Sequence, residues 1–290
     1  MATVKKLFVL GLLVLIGIFG NVFASNRSAI NGENKSELLN LKNQEIKDEE
    51  TMNSKKVTIL YDNYVFAEGT KSDWGFSCLV EGFEKTILFD TGAKPEILME
   101  NISKLGIDLK EVDLIVLSHN HWDHTGGLSK VLEKNHNVTV YVPQSFPEDF
   151  VNGVKQTGAT INRVAEPIEL CKDVHLTGEI PGPVNEQSLI LNTSKGLVVI
   201  TGCSHPGIVK IVEKSSEILK KNVYMAFGGF HLMRCSDDNV KNIIGDFRKL
   251  GVTKCGATHC TGDKAIALFK SAFGENYVKM GTGKVIEIAE

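Results

Sequence analysis

Within six residues of the run Leu117-Ser118-His119-Asn120-His121-Trp122-Asp123-His124-Thr125-Gly126-Gly127, four side chains could bind metal: His119, His121, Asp123 and His124. Imidazole and carboxylate are donors suited to zinc, iron or manganese. Spacing governs how they can be used. Alternate side chains of an extended backbone point the same way, so His119 and His121 can grip one ion. Asp123 shares that parity as long as the segment stays extended, while His124 points elsewhere and reaches a second ion. Only 8 histidines occur in 290 residues, so three within six positions is not the scatter expected of an ordinary polar loop. A pair of divalent ions a few Å apart would lower the pKa of a shared water toward neutrality and stabilise a developing oxyanion or leaving oxygen.

Such donors need a rigid frame. The run directly follows Asp113-Leu114-Ile115-Val116-Leu117, a buried strand by composition, and Gly126-Gly127 leads into a helix. Short β-branched runs predict strands over 57–61, 76–80, 86–89, 114–117, 138–142, 188–191, 197–201, 223–227, 254–258 and 285–288. Amphipathic spacing predicts helices over 95–105, 128–134, 208–221, 237–250 and 264–273. Ser236 is placed to cap a helix that Gly251 ends, and Gly274 follows the last one. This order fits an α+β domain of two sheets with helices on their outer faces. Three further histidines sit where strands end. His205 lies in a Pro-Gly turn between a strand and a helix, His259 stands beside Thr261-Gly262, and His231 follows Gly228-Gly229. The first two are candidate ligands. His231 is a candidate pocket residue, as ligand, general acid or substrate contact. His136 and His175 lack such context and are expected at the surface; Glu179 and Asp73 are further acids within possible reach.

The run resembles the H-x-H-x-D-H signature of the metallo-β-lactamase-fold superfamily. Further landmarks resemble that superfamily too: 72–77, Ile87-Leu88-Phe89-Asp90-Thr91-Gly92, Thr201-Gly202-Cys203-Ser204-His205-Pro206-Gly207, Gly228-Gly229-Phe230-His231-Leu232 and Thr258-His259-Cys260-Thr261-Gly262. In combination they are most similar to the dihydropterin–ribofuranosylaminobenzene phosphate synthase-like branch, over residues 56–290. The resemblance implies a four-layer αββα sandwich with a two-metal site at one edge. It implies His119, His121 and His205 on one metal, and Asp123, His124 and His259 on the other. Two divalent ions are therefore the expected cofactors, zinc first, with iron or manganese as the other suitable metals. Asp90 matches a position that orients ligands from behind. Many relatives carry an Asp where this chain has Cys203; either Cys203 contributes a thiolate or His205 and water complete the shell with Cys203 behind it, and the second is the expectation. Asp123 and His231 are the catalytic candidates. Asp123 acts as a ligand, since a ligating carboxylate is not free to serve as base, and His231 gives a proton or clasps a phosphate.

The function expected is a metal-dependent hydrolase that uses metal-activated hydroxide on a small ester or phosphoester. A transferase like the named branch, condensing a dihydropterin pyrophosphate with a phosphorylated aminobenzene riboside, is the first alternative. A non-catalytic metal-binding protein is the second. A redox diiron enzyme fits less well, because His121 occupies the place where such relatives carry Glu. True β-lactam hydrolysis is disfavoured, because many lactamases lack the histidine of the Asp123-His124 pair.

The N-terminus bears on location. Lys5 and Lys6, the apolar run 7–20 and Val22-Phe23-Ala24 have the layout of a secretory signal peptide over 1–24. The run is shorter than the ~20 residues a spanning helix needs. The protein is thus expected in the periplasm or outside the cell, with a membrane anchor through an uncleaved segment as the alternative. Residues 25–55, rich in Asn, Glu, Lys and Ser, read as a polar disordered linker, and 56–290 as the domain. A formal charge of −3 without a basic block disfavours nucleic acid as a partner and leaves a small-molecule substrate. The six cysteines permit disulfides in an exported protein but show no framework spacing. Oligomeric state has no sequence signal.

Overall fold

The computed structural model describes residues 54–289. The expected signal peptide, and all of the linker except its last two residues, lie outside them. In chain order the strands are β1 (Lys56–Tyr61), β2 (Ser77–Glu81), β3 (Ile87–Phe89), β4 (Leu114–Val116), β5 (Thr139–Pro143) and β6 (Thr160–Val164). There follow β7 (Ile168–Cys171), β8 (Val174–Leu176), β9 (Leu189–Thr193), β10 (Gly196–Thr201), β11 (Val223–Gly229), β12 (Lys254–Thr258) and β13 (Val285–Glu287). They form a seven-stranded sheet, ordered β13-β1-β2-β3-β4-β5-β6, and a six-stranded sheet, ordered β12-β11-β10-β9-β8-β7. Strands β3 to β6 run parallel, as do β10 to β12.

Period-two alternation explains why the sheets face each other. Val57, Cys78, Phe89 and Val116 of the first sheet meet Leu191, Val198, Ile200 and Phe227 of the second in one buried cluster. Alternate residues turn outward and need covering. Leu88, Ile115 and Val140 pack under helices α1 (Pro95–Lys104), α3 (Leu128–Lys134) and α4 (Glu148–Gln156). Leu197, Val199 and Ala226 pack under α5 (Ile208–Leu219), α6 (Asp237–Lys249) and α7 (Asp263–Phe273). The short α2 (Trp122–Thr125) belongs to the histidine loop. The fold is the four-layer αββα sandwich that the resemblance implied.

The expected elements are present with ends shifted by a few residues. Sequence reading misses β6, β7, β8 and α4. The edge strands β6 and β7 have no continuous buried face, and α4 buries only Val151 and Val154. Ser236 does cap α6, its hydroxyl accepting from Asn239 N at 3.3 Å. All six cysteines are free thiols. No helix among the described residues is long and apolar enough to cross a membrane.

Candidate metal centre

Parallel strands end together, so their carboxyl ends bring distant residues to one edge. Asn63 follows β1, Asp90 follows β3, and the run from Ser118 to His124 follows β4. Cys203 and His205 follow β10, His231 follows β11, and His259 follows β12. The turns are tight. Among the described residues six non-glycines have positive φ, and four of them are Asp90 (54°), Ser204 (61°), His231 (53°) and His259 (50°). Backbone strain is therefore concentrated where side chains must be aimed. Gly202 fits the same crowding: a Cβ there would lie 2.1 Å from Ser118 Oγ.

The donors fall into two groups. The first is His119, His121 and His205, with ring centroids 4.6 Å (119–121), 4.8 Å (119–205) and 4.8 Å (121–205) apart. Ser118 Oγ donates to Asp90 Oδ2 at 2.7 Å and so can accept from His119 Nδ1 at 2.9 Å. That assignment leaves the lone pair of His119 Nε2 facing His121 Nδ1 at 3.1 Å. A neutral His121 protonated on Nδ1 can donate to that lone pair; with its proton on Nε2 instead, two lone pairs face each other and suit a shared cation. Burial and the neighbouring imidazoles push His119 well below the ordinary histidine range and His205 to about 3, so both rings are held neutral and free to ligate. His205 Nε2 is buried and has no hydrogen-bond partner, which is costly unless a cation completes it.

The second group is Asp123, His124, Cys203 and His259, all buried. Asp90 Oδ2 lies 2.7 Å from His124 Nδ1, and Asn63 Oδ1 lies 2.9 Å from His259 Nδ1. Each contact fixes a tautomer whose Nε2 faces inward. Those two Nε2 atoms lie 3.2 Å and 3.4 Å from Cys203 Sγ, and 3.6 Å and 3.4 Å from Asp123 Oδ2. Burial would raise Asp123, but the His259 hydrogen bond and the charge of His124 outweigh it and hold the carboxyl well below its usual range. Burial would lower His124, yet the Asp90 carboxylate raises it to about 9. One anion and three soft or borderline donors make a set that fits zinc or iron.

Two expectations are modified by this geometry. The segment does not stay extended: α2 begins at Trp122, so helical rotation, not alternation, carries Asp123 away from His119 and His121 and places it beside His124. Cys203 stands among the inward-facing donors, not behind them. His231 lies beside the first group, its ring 4.4 Å from that of His205, and it also forms a possible donor set with Cys203 and His205. A hydrogen bond with Cys260 raises its pKa against the effect of burial. His136 is exposed and His175 half-buried on β8, both outside the donor groups. Glu179 accepts from Ser145 N and Asn185, and Asp73 pairs with Lys94, so neither joins the donors.

Sequence reading misses Asn63 and Glu186. Glu186, fully buried, accepts the backbone N–H of Cys203, Ser204 and His205, each at 2.9 Å, and so fixes the loop that carries two donors. Burial raises its pKa, and those three N–H groups oppose the rise. A lone Glu in 185–187 has no motif around it, and Asn63 meets His259 across 196 residues of sequence. No local signal marks either.

A family model described as the metallo-beta-lactamase superfamily matches residues 75–205. The chain is 33% identical to the 7,8-dihydropterin-6-methyl-4-(beta-D-ribofuranosyl)-aminobenzene-5'-phosphate synthase of Methanocaldococcus jannaschii, over 74% of this chain and 90% of that protein. An uncharacterized protein of the same organism is 30% identical over 80% of this chain and 100% of its own length. Among solved structures, a metal-dependent hydrolase of the beta-lactamase superfamily aligns with a TM-score of 0.69 at 30% identity, covering 81% of this chain and 100% of that one.

Proposed function

The chain belongs to the metallo-β-lactamase superfamily, and from that premise we propose an exported hydrolase that uses two divalent cations to cleave a small ester or phosphoester. The observation that carries the reading is the inward-facing donor set, with the buried, unpartnered His205 Nε2 among its atoms. His119, His121 and His205 would hold one ion; Asp123, His124 and His259 would hold the other, with Cys203 as a further donor beside them. Bound there, zinc or a similar cation supplies Lewis acidity, which acidifies water and stabilises negative charge on oxygen.

The chain's own residues do the rest. Asp90 and Asn63 orient His124 and His259 through their Nδ1 atoms. Glu186 holds the 203–205 loop in place. His231, exposed and beside His205, keeps a proton through its Cys260 contact and delivers it to the leaving oxygen. The layout of residues 1–24 supports export, which N-terminal sequencing of protein recovered outside the cytoplasm would test.

The archaeal synthase relative favours a second reading, in which the same centre forms a dihydropterin–aminobenzene riboside phosphate product. A panel of phosphomonoesters, phosphodiesters and carboxylic esters, run with metal-loaded protein, separates the two. Turnover of any ester class supports hydrolysis. Product formation from dihydropterin pyrophosphate and the phosphorylated riboside, with no ester turnover, supports the synthase reading. Stoichiometric metal with neither activity returns the chain to a metal-binding role.

A further inference from the structure

Apart from the metal centre, the chain holds a cavity of about 510 Å³, within the size range of small-molecule sites. Ile266 and Lys270 of α7, Ala257 and Thr258 at the end of β12, the 63–65 segment with Ser72, and Tyr277, Lys279 and Met280 line it. Its chemistry is divided. Ala257, Ile266 and Met280 are apolar, and two tyrosines, Tyr64 and Tyr277, line the cavity with them. Both rings are tied down: Tyr64 donates its hydroxyl to Asp263 Oδ1 at 2.6 Å, and Tyr277 donates to Ala257 O at 2.9 Å. Tethered rings lose little freedom when a planar molecule settles against them. Lys270 and Lys279 are exposed, and neither has an ion-pair partner among the described residues. Asp263, the acid beside Tyr64, is engaged by that hydroxyl.

We infer that this cavity is a binding site for a small aromatic anion, distinct from the metal centre, with the ring system between Tyr64 and Tyr277 and the anionic group held by Lys270 and Lys279. The apolar lining excludes a free inorganic ion as the preferred occupant, and the two cations select against a neutral aromatic. The site stands one side chain from the metal centre. Asn63 lines the cavity and also holds His259, its Oδ1 2.9 Å from the ring nitrogen and its amide donating to His259 O at 3.3 Å.

Calorimetric titration of the metal-loaded full chain with 2-naphthoate tests this, with naphthalene-2-carboxamide as the uncharged probe. One naphthoate per chain is expected. The Lys270→Met/Lys279→Met double substitution should weaken it by about tenfold or more, and leave the weaker carboxamide binding unchanged. Metal content should be the same in both proteins, since neither lysine belongs to a donor group. Ile266→Trp, which fills the cavity, should remove binding of both probes; if that variant does not fold, the lysine pair decides alone. Absence of naphthoate binding overturns the proposal. So does binding that the double substitution does not alter, or that disappears on chelation because the carboxylate sits on the metal.

Discussion

His205 carries the plainest sign of what the centre is built for: a buried ring nitrogen without a partner, where burial and then the surrounding imidazoles oppose its protonation. Cys203 makes a spectroscopic prediction. With cobalt in the centre, a thiolate donor gives charge-transfer absorption in the near ultraviolet, and Cys203→Ser should abolish it while cobalt stays bound; an unchanged spectrum would put the thiol outside the coordination shell. His231→Ala should lower turnover about 10²-fold or more with metal content unchanged, as expected for loss of a proton donor. A fall in metal content would make His231 a ligand. Asp62 gives a pH prediction. Burial raises its pKa from the ordinary carboxylate value to about 7, despite hydrogen bonds from Thr258 to both oxygens at 2.8 Å. A raised acid contributes stability at low pH and loses it as pH climbs from about 4 to about 7. In chelator-treated protein, Asp62→Asn should therefore gain in Tm relative to the native chain across that window; a difference that does not vary with pH would refute the assignment. At this scale the sequence is readable where ligands cluster, as in His119 to His124, and opaque where a residue such as Asn63 works across the whole chain.

At the level of elements, the centre depends on where strands stop. The loop after β10 carries Cys203 and His205 and is pinned by Glu186 through three N–H bonds in a fully buried place. Glu186→Ala orphans all three donors, at roughly 1–3 kcal/mol each before relaxation. It should lower Tm and weaken metal binding together, read by melting with and without excess zinc. Glu186→Gln, which keeps an acceptor oxygen, should recover part of both. If metal affinity is untouched in the Ala variant, the loop does not need Glu186. The strand and helix pattern was legible because alternation and helical spacing both leave an apolar trace, as in β10 and α6. The short α2 was not: its four residues present no periodicity, and only the closing of the chain around Asp123 forces the helical turn. The edge strands β6 and β7 are equally hard to read, since neither buries a full face.

For the whole molecule, two sheets pressed face to face bring six strand ends to one edge, and the centre inherits its rigidity from that core. Phe227 belongs to it, fully buried on β11 between β10 and β12. Phe227→Ala should cost about 3–5 kcal/mol, seen as a large loss of Tm in both metal-loaded and stripped protein. A small loss would mean the sheets are held elsewhere. The αββα architecture follows from the sequence once the landmarks are taken as a set. The substrate does not, because one fold serves many reactions. The most direct test of the account is the metal count itself. Elemental analysis of purified chain loaded with zinc should give two equivalents, and His205→Ala or His259→Ala should each bring it to one. A chain that takes up no stoichiometric zinc, iron or manganese would contradict the two-cation centre.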